Sequence, residues 1–313
     1  MKSLVTGAAG FIGSHLVEKL LRSGHDVAGI DNYLDNYPRH FKDGNLANFL
    51  GHPKFTFINE DITRADLQRL LQGVDYLFHL AGQPGVRSSW GREFSRYTEN
   101  NISATQLLLE SAKELKLRKF VYASTSSVYG DTTDLPMRED GLTRPVSPYG
   151  ATKLAAEHLC HLYNKGYGVP TVALRFFTVY GPRQRPDMFF HLFMRALLTG
   201  DAVPLYDDGE QTRDFTYCAD IVDGIVGAAH YPGQGEVFNL GGGSQVSLLA
   251  AIALTEKIAG VKANLQRFDR QRGDVRHTRA RLDAAREKLK YDPKVGLKEG
   301  LEQEWQWIRS MGR

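Results

Sequence analysis

The stretch Thr6–Gly13, TGAAGFIG, lies near the start of the chain, directly after a short apolar segment. It places Gly7, Gly10 and Gly13 between this predicted strand and a predicted helix, Phe11–Arg22, whose leucines follow helical spacing. Small residues let the backbone approach a pyrophosphate, and free N–H groups at a helix N-terminus attract anions. The stretch therefore predicts a strand–turn–helix unit that binds a dinucleotide, although its spacing is not the commonest G-x-G-x-x-G.

Apolar and helical segments alternate after this unit. The predicted strands are Val27–Ile30, Phe55–Ile58, Tyr76–Leu80, Phe120–Ser124 and Val172–Phe176. The predicted helices between them include Arg64–Leu71, Thr98–Leu115 and Tyr149–Tyr163. This alternation predicts an α/β fold with a Rossmann-type, doubly wound parallel sheet, whose ligand lies beyond the carboxyl ends of the strands.

The pattern changes after Gly181, where loops rich in Gly, Pro and Asp separate shorter elements. We expect a Rossmann domain over residues 1–178 and a smaller C-terminal α/β substrate domain over residues 179–313. The chain is free to cross between the two more than once. A cleft between them is the expected site.

The composition is that of a soluble globular protein, with 42% hydrophobic and 24% charged residues. A formal charge of +3 favours neither nucleic acid nor an acidic membrane surface as partner. The arginines of 267–286 indicate either a solvated surface or an anion-binding edge. Two widely separated cysteines, Cys160 and Cys218, suit a reducing compartment, and we expect a cytoplasmic protein.

Asp31 stands at the end of the second predicted strand, about 20 residues after the glycine turn. A carboxylate there accepts hydrogen bonds from an adenosine ribose and repels a 2′-phosphate, which favours NAD over NADP. Asp31 is alternatively a turn residue with Asn32. Asp61 and Ile62 follow the third strand, where they either bracket the adenine or cap the helix before Arg64.

Tyr149 and Lys153 are four residues apart and therefore share one face of a predicted helix, which Pro148 suits at its first turn. A nearby ammonium favours the phenolate and lowers the pKa of a phenol. Thr125, at the end of an apolar strand, adds a second hydroxyl for a substrate alcohol. The three residues predict a hydride-transfer site that oxidises a carbinol; the alternative is an incidental surface Tyr/Lys pair.

These segments occur in an order that resembles the extended short-chain dehydrogenase/reductase family, and within it the NAD-dependent sugar-nucleotide epimerases and dehydratases. The resemblance rests on the glycine turn, Asp31, Leu80–Gly82, Ser124–Gly130, Tyr149 with Lys153, and Arg175–Phe177. It spans nearly the whole chain. It implies tightly held NAD in the Rossmann domain, a nucleoside-diphosphate sugar in the smaller domain, and a homodimer through helices Thr98–Leu115 and Tyr149–Tyr163.

The resemblance also implies roles for single residues. Tyr149 is the expected base, Lys153 binds the nicotinamide ribose and Thr125 orients the sugar hydroxyl. The residues expected to bind NAD are Gly7, Gly10, Phe11, Ile12, Gly13, Asp31, Asn32, Asp61, Ile62, Leu80, Ala81, Gln83, Asn101, Ser124, Tyr149 and Lys153. No metal is expected.

The residues after Thr125 discriminate between reactions. Family dehydratases resemble Thr-Asp-Glu at this place and decarboxylases Thr-Ser-Glu, whereas this chain has Ser126 and Ser127. Without these carboxyl groups, neither dehydration nor decarboxylation has its expected acid or base. What remains is transient oxidation at C4 and return of the hydride to the opposite face, a 4-epimerisation.

Three segments, Gln83–Arg87, Phe177–Pro182 and Arg183–Met188, resemble the UDP-glucuronic acid 4-epimerases. A glucuronosyl carboxylate matches hydroxyl donors and a guanidinium, and Arg185 is the expected arginine. The residues expected to bind the substrate are Pro84, Gly85, Val86, Arg87, Thr125, Ser126, Ser127, Thr178, Arg185, Arg213 and Asp274.

The diphosphate end departs from the family pattern, since Gln271 stands where the family often has an arginine. Three alternatives to a UDP-glucuronate 4-epimerase stay open at this point. They are a 4-epimerase for UDP-glucose or UDP-N-acetylglucosamine, a UDP-glucuronate decarboxylase, and a non-catalytic NAD-sensing protein.

Overall fold

The strands of this protein form one large sheet and three small ones in a computed structural model that describes residues 1–312. In chain order the strands are β1 (Lys2–Thr6), β2 (Asp26–Ile30), β3 (Phe55–Ile58), β4 (Tyr76–His79), β5 (Lys119–Thr125), β6 (Thr171–Phe176), β7 (Thr178–Tyr180), β8 (Ala202–Tyr206), β9 (Thr212–Arg213), β10 (Phe215–Tyr217), β11 (Glu236–Leu240), β12 (Val246–Ser247) and β13 (Asn264–Phe268).

The large sheet has seven strands in the order β11-β6-β5-β4-β1-β2-β3, and all its pairs are parallel. Helices cover both faces, which is why β5 is buried at every position and has the apolar run Phe120–Ala123 at its centre. The strand order reverses between β1 and β4, and such a switch point opens a ligand crevice. The predicted α/β Rossmann fold is confirmed.

Ten α-helices are found within residues 1–312. They are α1 (Phe11–Arg22), α2 (Arg39–Leu46), α3 (Leu67–Leu71), α4 (Phe94–Tyr97), α5 (Ala104–Ala112), α6 (Pro148–Tyr167), α7 (Phe189–Thr199), α8 (Cys218–His230), α9 (Leu248–Ala259) and α10 (Leu297–Ser310). The helix that carries the Tyr/Lys pair, α6, begins at Pro148 because the Ser147 hydroxyl accepts from the Gly150 N–H at 3.1 Å. It ends at Tyr167 and is capped by Gly168, whose φ of 72° suits glycine.

Neighbouring residues of a strand point to opposite faces, so β1 contributes to two apolar layers. Leu4 packs in the layer that includes Leu108 of α5, and Val5 packs in the layer that includes Leu16 of α1. The second layer continues into the C-terminal part, where Phe193 and Ile308 are fully buried. Because of this continuity, the central sheet and the C-terminal elements share one core.

Three two-stranded sheets belong to the C-terminal part: β7–β10, β8–β13 and β9–β12. In the first, Thr178 pairs with Phe215. The edge strand β11 returns from this part of the chain to pair with β6 in the central sheet. The domain division at residue 178 stays a prediction.

The helix α2 was not predicted. It buries Lys42 and Asn45 beside Leu46, so it lacks the apolar stripe by which an amphipathic helix is found in a sequence. The predicted helix Thr98–Leu115 is also modified, since Thr98–Ser103 is wound as a π-helix before α5 begins. Such π-helical turns are frequent near functional sites.

Both cysteines, Cys160 and Cys218, are free and buried. Throughout residues 1–312, no helix has the length and apolar character that a membrane crossing requires. The same residues hold no group of three His, Cys, Asp or Glu side chains arranged to bind a metal ion.

Candidate active site

A deep cleft lies beyond the carboxyl ends of the central strands. All sixteen residues predicted to bind NAD line it, and so do Pro84 and Arg185 from the predicted substrate set. The cleft has further lining residues that were not among the predicted binding residues, which are Ile30, Leu34, Asn36, Tyr37, Lys42, Glu60, Gly82, Asn100, Ala104, Ala123 and Phe176. The predicted set is therefore brought together in space, while its role in binding stays a prediction.

The glycine turn between β1 and α1 is packed too closely for side chains. A Cβ on Gly13 would stand 2.1 Å from the Gly7 carbonyl oxygen, and one on Gly7 would stand 2.9 Å from the Ala81 nitrogen. Gly7 also has a φ of 72°. The backbone is thus exposed to the cleft at the N-terminus of α1, as a bound diphosphate requires.

Asp31 is a turn residue, as one of its two alternatives predicted, and it also lines the cleft, where its contact with a ribose stays a prediction. Its Oδ1 accepts from the Tyr33 N–H at 2.8 Å, as in an Asx turn, and its Oδ2 accepts from the Ala9 N–H at 3.2 Å. The Lys42 ammonium lies 3.3 Å from Oδ1 and both side chains are buried. Since α2 brings Lys42 here from eleven residues away, no local spacing could have identified this cation.

Two buried polar atoms in the cleft have no partner within the described chain, Asn36 Oδ1 and Gln83 Oε1. Buried polar groups are nearly always hydrogen-bonded, so these two indicate a ligand. Asp61, also in the cleft, accepts from the Thr63 N–H and from the Asn32 amide, both at 2.8 Å. Because they offer unpaired polar atoms inside the cleft, Asn36 and Gln83 suit a ligand with many hydrogen-bonding groups, such as a nucleotide.

Asn101 contacts the protein with both of its amide atoms. Its Oδ1 accepts from the Gln83 N–H at 2.8 Å, and its Nδ2 donates to the Gln83 carbonyl at 3.1 Å and to the Thr152 hydroxyl at 3.0 Å. Thr152 precedes Lys153 on α6. Asn101 thus connects Gln83 of the cleft wall to α6, the helix that carries the Tyr/Lys pair.

Tyr149 and Lys153 lie side by side in the cleft wall, where Lys153 is buried and Tyr149 is half-buried. Burial raises the pKa of Tyr149, and the Thr125 hydroxyl and the Arg185 guanidinium oppose that change. The expectation that the neighbouring ammonium lowers the pKa of this phenol is wrong for the nucleotide-free protein. Desolvation of the phenolate outweighs the charges that the protein places around it.

Burial lowers the pKa of Lys153 to about 7, opposed by Cys160 and Glu157. The Lys153 ammonium also lies 4.4 Å from the centre of the Tyr122 ring. A lysine that titrates near neutral pH is unusual outside functional sites. The sequence indicated this residue, but not its altered titration.

Lys153→Met is expected to raise the melting temperature of the nucleotide-free protein more at pH 6 than at pH 9. Between the folded pKa of about 7 and the ordinary 10.5, the unfolded chain binds more protons, so stability rises with pH. The cost of burying the ammonium is therefore complete below pH 7 and is progressively relieved above it. Thermal unfolding at the two pH values measures the difference.

Lys165→Met is the matched control, because Lys165 is exposed on the same helix. It should change the melting temperature equally at both pH values. A Lys153→Met shift that is the same at pH 6 and pH 9 would contradict a lowered pKa.

The segment after β5 offers hydroxyls and no carboxylate. The Ser127 N–H donates to the Thr125 hydroxyl at 3.2 Å, which folds residues 126–128 into a short turn. Ser124 donates to Glu157 at 2.8 Å, and Glu157 forms a buried ion pair with Arg175. Both carboxylate oxygens of Glu157 are therefore already paired, with Arg175 and Ser124.

Arg185 also lines the cleft that contains Tyr149. Its guanidinium makes two hydrogen bonds with the Asp187 carboxylate, at 2.9 and 2.8 Å. It also lies close enough to Tyr149 and Tyr37 to favour their charged forms. Thr178 begins β7, two residues beyond Phe176 of the cleft wall. The predicted sugar-end arginine therefore lines the same cleft as the predicted base.

Three predicted substrate residues come together outside this cleft. Arg87 and Asp274 form an ion pair at 2.7 Å, and the Arg87 guanidinium stacks 4.0 Å above the Tyr206 ring. Burial lowers the pKa of Arg213. The positive charge of Arg87 lowers that pKa further, and the negative charge of Asp274 acts in the opposite direction. The sequence did not indicate Tyr206, because its contact with Arg87 spans distant parts of the chain.

The segment that precedes Arg87 is held by an unpredicted tyrosine. The Tyr97 hydroxyl lies 3.0 Å from the Pro84 carbonyl oxygen and 2.9 Å from that of Gly85. Gly85 has a φ of 112°, and a Cβ there would stand 2.6 Å from the Ser88 hydroxyl. Val86 follows and leads into the turn that carries Arg87.

A doubly wound sheet with a glycine cradle, and a Tyr/Lys pair facing the same cleft, define a class of Rossmann-fold enzymes that exchange hydride through a nicotinamide nucleotide. The model of the NAD dependent epimerase/dehydratase family matches residues 3–241. This chain belongs to that family.

Known relatives resemble the chain over almost its whole length. It is 48% identical to the Bacillus subtilis (strain 168) protein named uncharacterized UDP-glucose epimerase YtcB, over 99% of both chains. It is 36% identical to the UDP-glucuronate 4-epimerase of Thermodesulfobacterium geofontis (strain OPF15), over 98% of this chain and 95% of the relative. The crystal structure of UDP-glucuronic acid 4-epimerase from Bacillus cereus in complex with UDP-glucuronic acid and NAD matches with a TM-score of 0.97 and 47% identity, over 99% of this chain and 100% of that chain.

Proposed function

We propose that this protein is an NAD-dependent UDP-sugar 4-epimerase that converts UDP-glucuronate to UDP-galacturonate through a transient 4-keto sugar. The observation that carries the proposal is that Arg185 lines the same cleft as Tyr149, near enough for its charge to lower the pKa of the phenol. A cation in the same cleft as the base suits a sugar whose C6, bonded directly to ring carbon C5, is a carboxylate. The absence of a carboxylate at Ser126 and Ser127 supports epimerisation over dehydration.

The cleft residues suit NAD. The glycine turn would hold the diphosphate, Asp31 the adenosine ribose and Lys153 the nicotinamide ribose. Gln83 and Asn36 would find partners for their unpaired oxygens. When bound, NAD accepts a hydride from C4 of the sugar and later returns it.

The chain's own residues handle the proton and the orientation. The Tyr149 phenolate takes the C4 hydroxyl proton as the carbinol becomes a ketone, and the Thr125 hydroxyl holds that oxygen in line. After the 4-keto sugar turns its other face, Tyr149 returns the proton to the alkoxide. Lys153 favours the phenolate whenever it is protonated.

A carboxylate clamp is the second part of the proposal. A 4-keto uronic acid is a β-keto acid, which loses carbon dioxide when its carboxylate bond aligns with the carbonyl π system. Arg185 with Ser126, Ser127 and Thr178 would hold the carboxylate out of that alignment.

At the UDP end of the substrate, Arg87, Arg213 and Asp274 would contact the diphosphate and the ribose.

The B. cereus enzyme supports this assignment, because it was solved with UDP-glucuronic acid and NAD and matches the chain throughout. The name of the B. subtilis relative, a UDP-glucose epimerase, supports a neutral sugar as substrate instead.

A homodimer through α5 and α6 and a cytoplasmic location stay predictions.

The purified protein should be incubated separately with UDP-glucuronate, UDP-glucose and UDP-N-acetylglucosamine, and the products identified by NMR. We expect UDP-galacturonate from the first at a rate that exceeds epimerisation of the other two by at least tenfold. Faster turnover of a neutral sugar would assign the enzyme to that sugar. A 4-keto pentose or UDP-xylose as main product would make it a decarboxylase, and no turnover of any sugar would overturn the proposal.

Asp31→Asn is expected to weaken NADH binding about tenfold and to reduce the preference for NADH over NADPH. The amide is a weaker acceptor for ribose hydroxyls, and its neutral charge leaves the Lys42 ammonium free to meet a 2′-phosphate. Fluorescence titrations with the two reduced nucleotides measure both effects. Asp35→Asn is the control, because Asp35 is exposed and pairs with Arg96. An unchanged ratio of the two affinities would argue against a ribose contact of Asp31.

A further inference from the structure

The segment Gly181–Asp187, which we call the Arg185 loop, joins β7 to α7. It carries Arg185 into the cleft although it has no regular secondary structure of its own. Its shape must therefore come from side-chain contacts with the elements around it. Those contacts determine where the guanidinium stands relative to Tyr149.

Arg183 is the loop side chain that reaches α1. Its Nη2 lies 2.7 Å from Glu18 Oε1 and its Nη1 donates to the Ser14 hydroxyl at 3.4 Å. The two charged side chains are only 12% and 16% exposed, so the pair is largely shielded from water. Arg183 also has a φ of 67°, a left-handed conformation that an arginine rarely adopts. A strained residue of this kind persists where its surroundings hold it.

His15, on the same face of α1, adds a second contact. Its Nε2 donates to the Pro182 carbonyl oxygen at 2.8 Å, since a carbonyl can only accept. Burial and then Arg183 lower the pKa of His15 to about 4, opposed by the Pro182 contact and by Glu18. The imidazole is therefore neutral near pH 7, and this contact is independent of pH in that range.

The other side of the loop is attached separately. The Gly181 N–H donates to Glu304 of α10 at 2.8 Å. The Gln184 amide donates to the Val179 carbonyl at 3.1 Å and accepts from the His191 N–H at 3.0 Å. These contacts secure the loop to the C-terminal part of the fold. Within residues 1–312, the hydrogen bonds and the ion pair between this loop and α1 are those of Arg183 and Pro182.

The helix α1 begins with Phe11, Ile12 and Gly13, all in the wall of the cleft. We propose that Arg183, through its ion pair with Glu18, is a positioning residue that sets the place of Arg185 relative to this wall. The pair thereby holds the Arg185 guanidinium where it keeps a uronic acid carboxylate out of the orientation for decarboxylation. This inference rests on the proposed function, and concerns a residue that need not touch the substrate.

The test is Arg183→Met, with UDP-glucuronate turnover analysed by NMR. We expect the 4-keto pentose fraction to rise at least fivefold. In the Tyr149→Phe background, which prevents turnover, Arg183→Met should weaken UDP-glucuronate binding about tenfold and leave UDP-glucose binding within twofold. The exchanged pair Glu18→Arg with Arg183→Glu should recover part of the wild-type product ratio. A purely structural role would weaken both ligands equally.

Lys19→Met is the matched control, because Lys19 on the same helix pairs with Asp223 at an exposed position, 46% and 56% exposed. It should leave the product ratio unchanged. Should Arg183→Met fail to fold, Glu18→Gln removes the ion pair with little change of shape and is expected to give the same rise.

Arg183→Gly separates the ion pair from the backbone conformation, since glycine adopts a positive φ without strain. A wild-type product ratio in Arg183→Gly would overturn the inference, as would an unchanged ratio in both Arg183→Met and Glu18→Gln. If the wild-type protein does not turn over UDP-glucuronate, the proposed function fails and this inference with it. If the wild type turns over UDP-glucuronate and the variants give the same product ratio, this inference is refuted and the proposed function stands.

Discussion

Tyr149→Phe is expected to lower kcat for UDP-glucuronate epimerisation about a thousandfold, the middle of the range for removing a general base. The phenylalanine ring fills the same space, so the cleft keeps its shape while the C4 hydroxyl proton loses its acceptor. Binding of UDP-glucuronate, measured by calorimetry, should stay within threefold of wild type. The combination of retained binding with lost turnover distinguishes a catalytic role from a structural one.

Tyr163→Phe is the control for this variant. Tyr163 lies on the same helix, and its hydroxyl contacts Glu110 and Gln106 away from the cleft. It should retain wild-type kcat. A Tyr149→Phe variant with unchanged turnover would exclude the phenol as the base and would revive a non-catalytic NAD-binding role.

Arg185→Ala is expected to lower kcat/KM for UDP-glucuronate about a hundredfold and to release more 4-keto pentose. A charge-assisted, bidentate hydrogen bond to a carboxylate is among the stronger polar contacts, and its loss leaves that carboxylate unpaired in the cleft. The 4-keto intermediate then has a carboxylate free to rotate into line with the ketone. NMR of the reaction mixture measures epimer and by-product together.

Two comparisons separate the clamp from general damage. With UDP-glucose, which has no carboxylate, Arg185→Ala should change kcat/KM far less than with UDP-glucuronate. Asp187→Asn should not raise the by-product, because it only frees Arg185 from its own carboxylate partner. Slower epimerisation by Arg185→Ala without extra decarboxylation would refute the clamp.

Local spacing was enough to predict much of the site. The glycines of the first turn, Asp31 at a strand end and the Tyr149–Lys153 pair all face the cleft, because each follows a strand of the same parallel sheet or lies on the helix next to it. Strand ends in such a sheet meet at one edge. A correct assignment of strands therefore also locates the ligand.

Other features could not be predicted in this way. Lys42 reaches Asp31 from a helix without an apolar stripe, and Arg183 pairs with Glu18, which precedes it by 165 residues. The direction of the Tyr149 pKa was also wrongly predicted. Burial depends on every element packed around the phenol, and a spacing of four residues contains no information about it.

By itself, the amino-acid sequence determined the parallel α/β sheet, the glycine turn and the identity of the groups that meet at the strand ends. These follow from periodicity and spacing, which act between near neighbours of the chain. Only the tertiary structure decided that Lys153 is buried and Tyr149 half-buried, that Lys42 pairs with Asp31, and that Arg183 connects the Arg185 loop to α1. Desolvation and ion pairing act through space, so they depend on which distant segments the fold brings together.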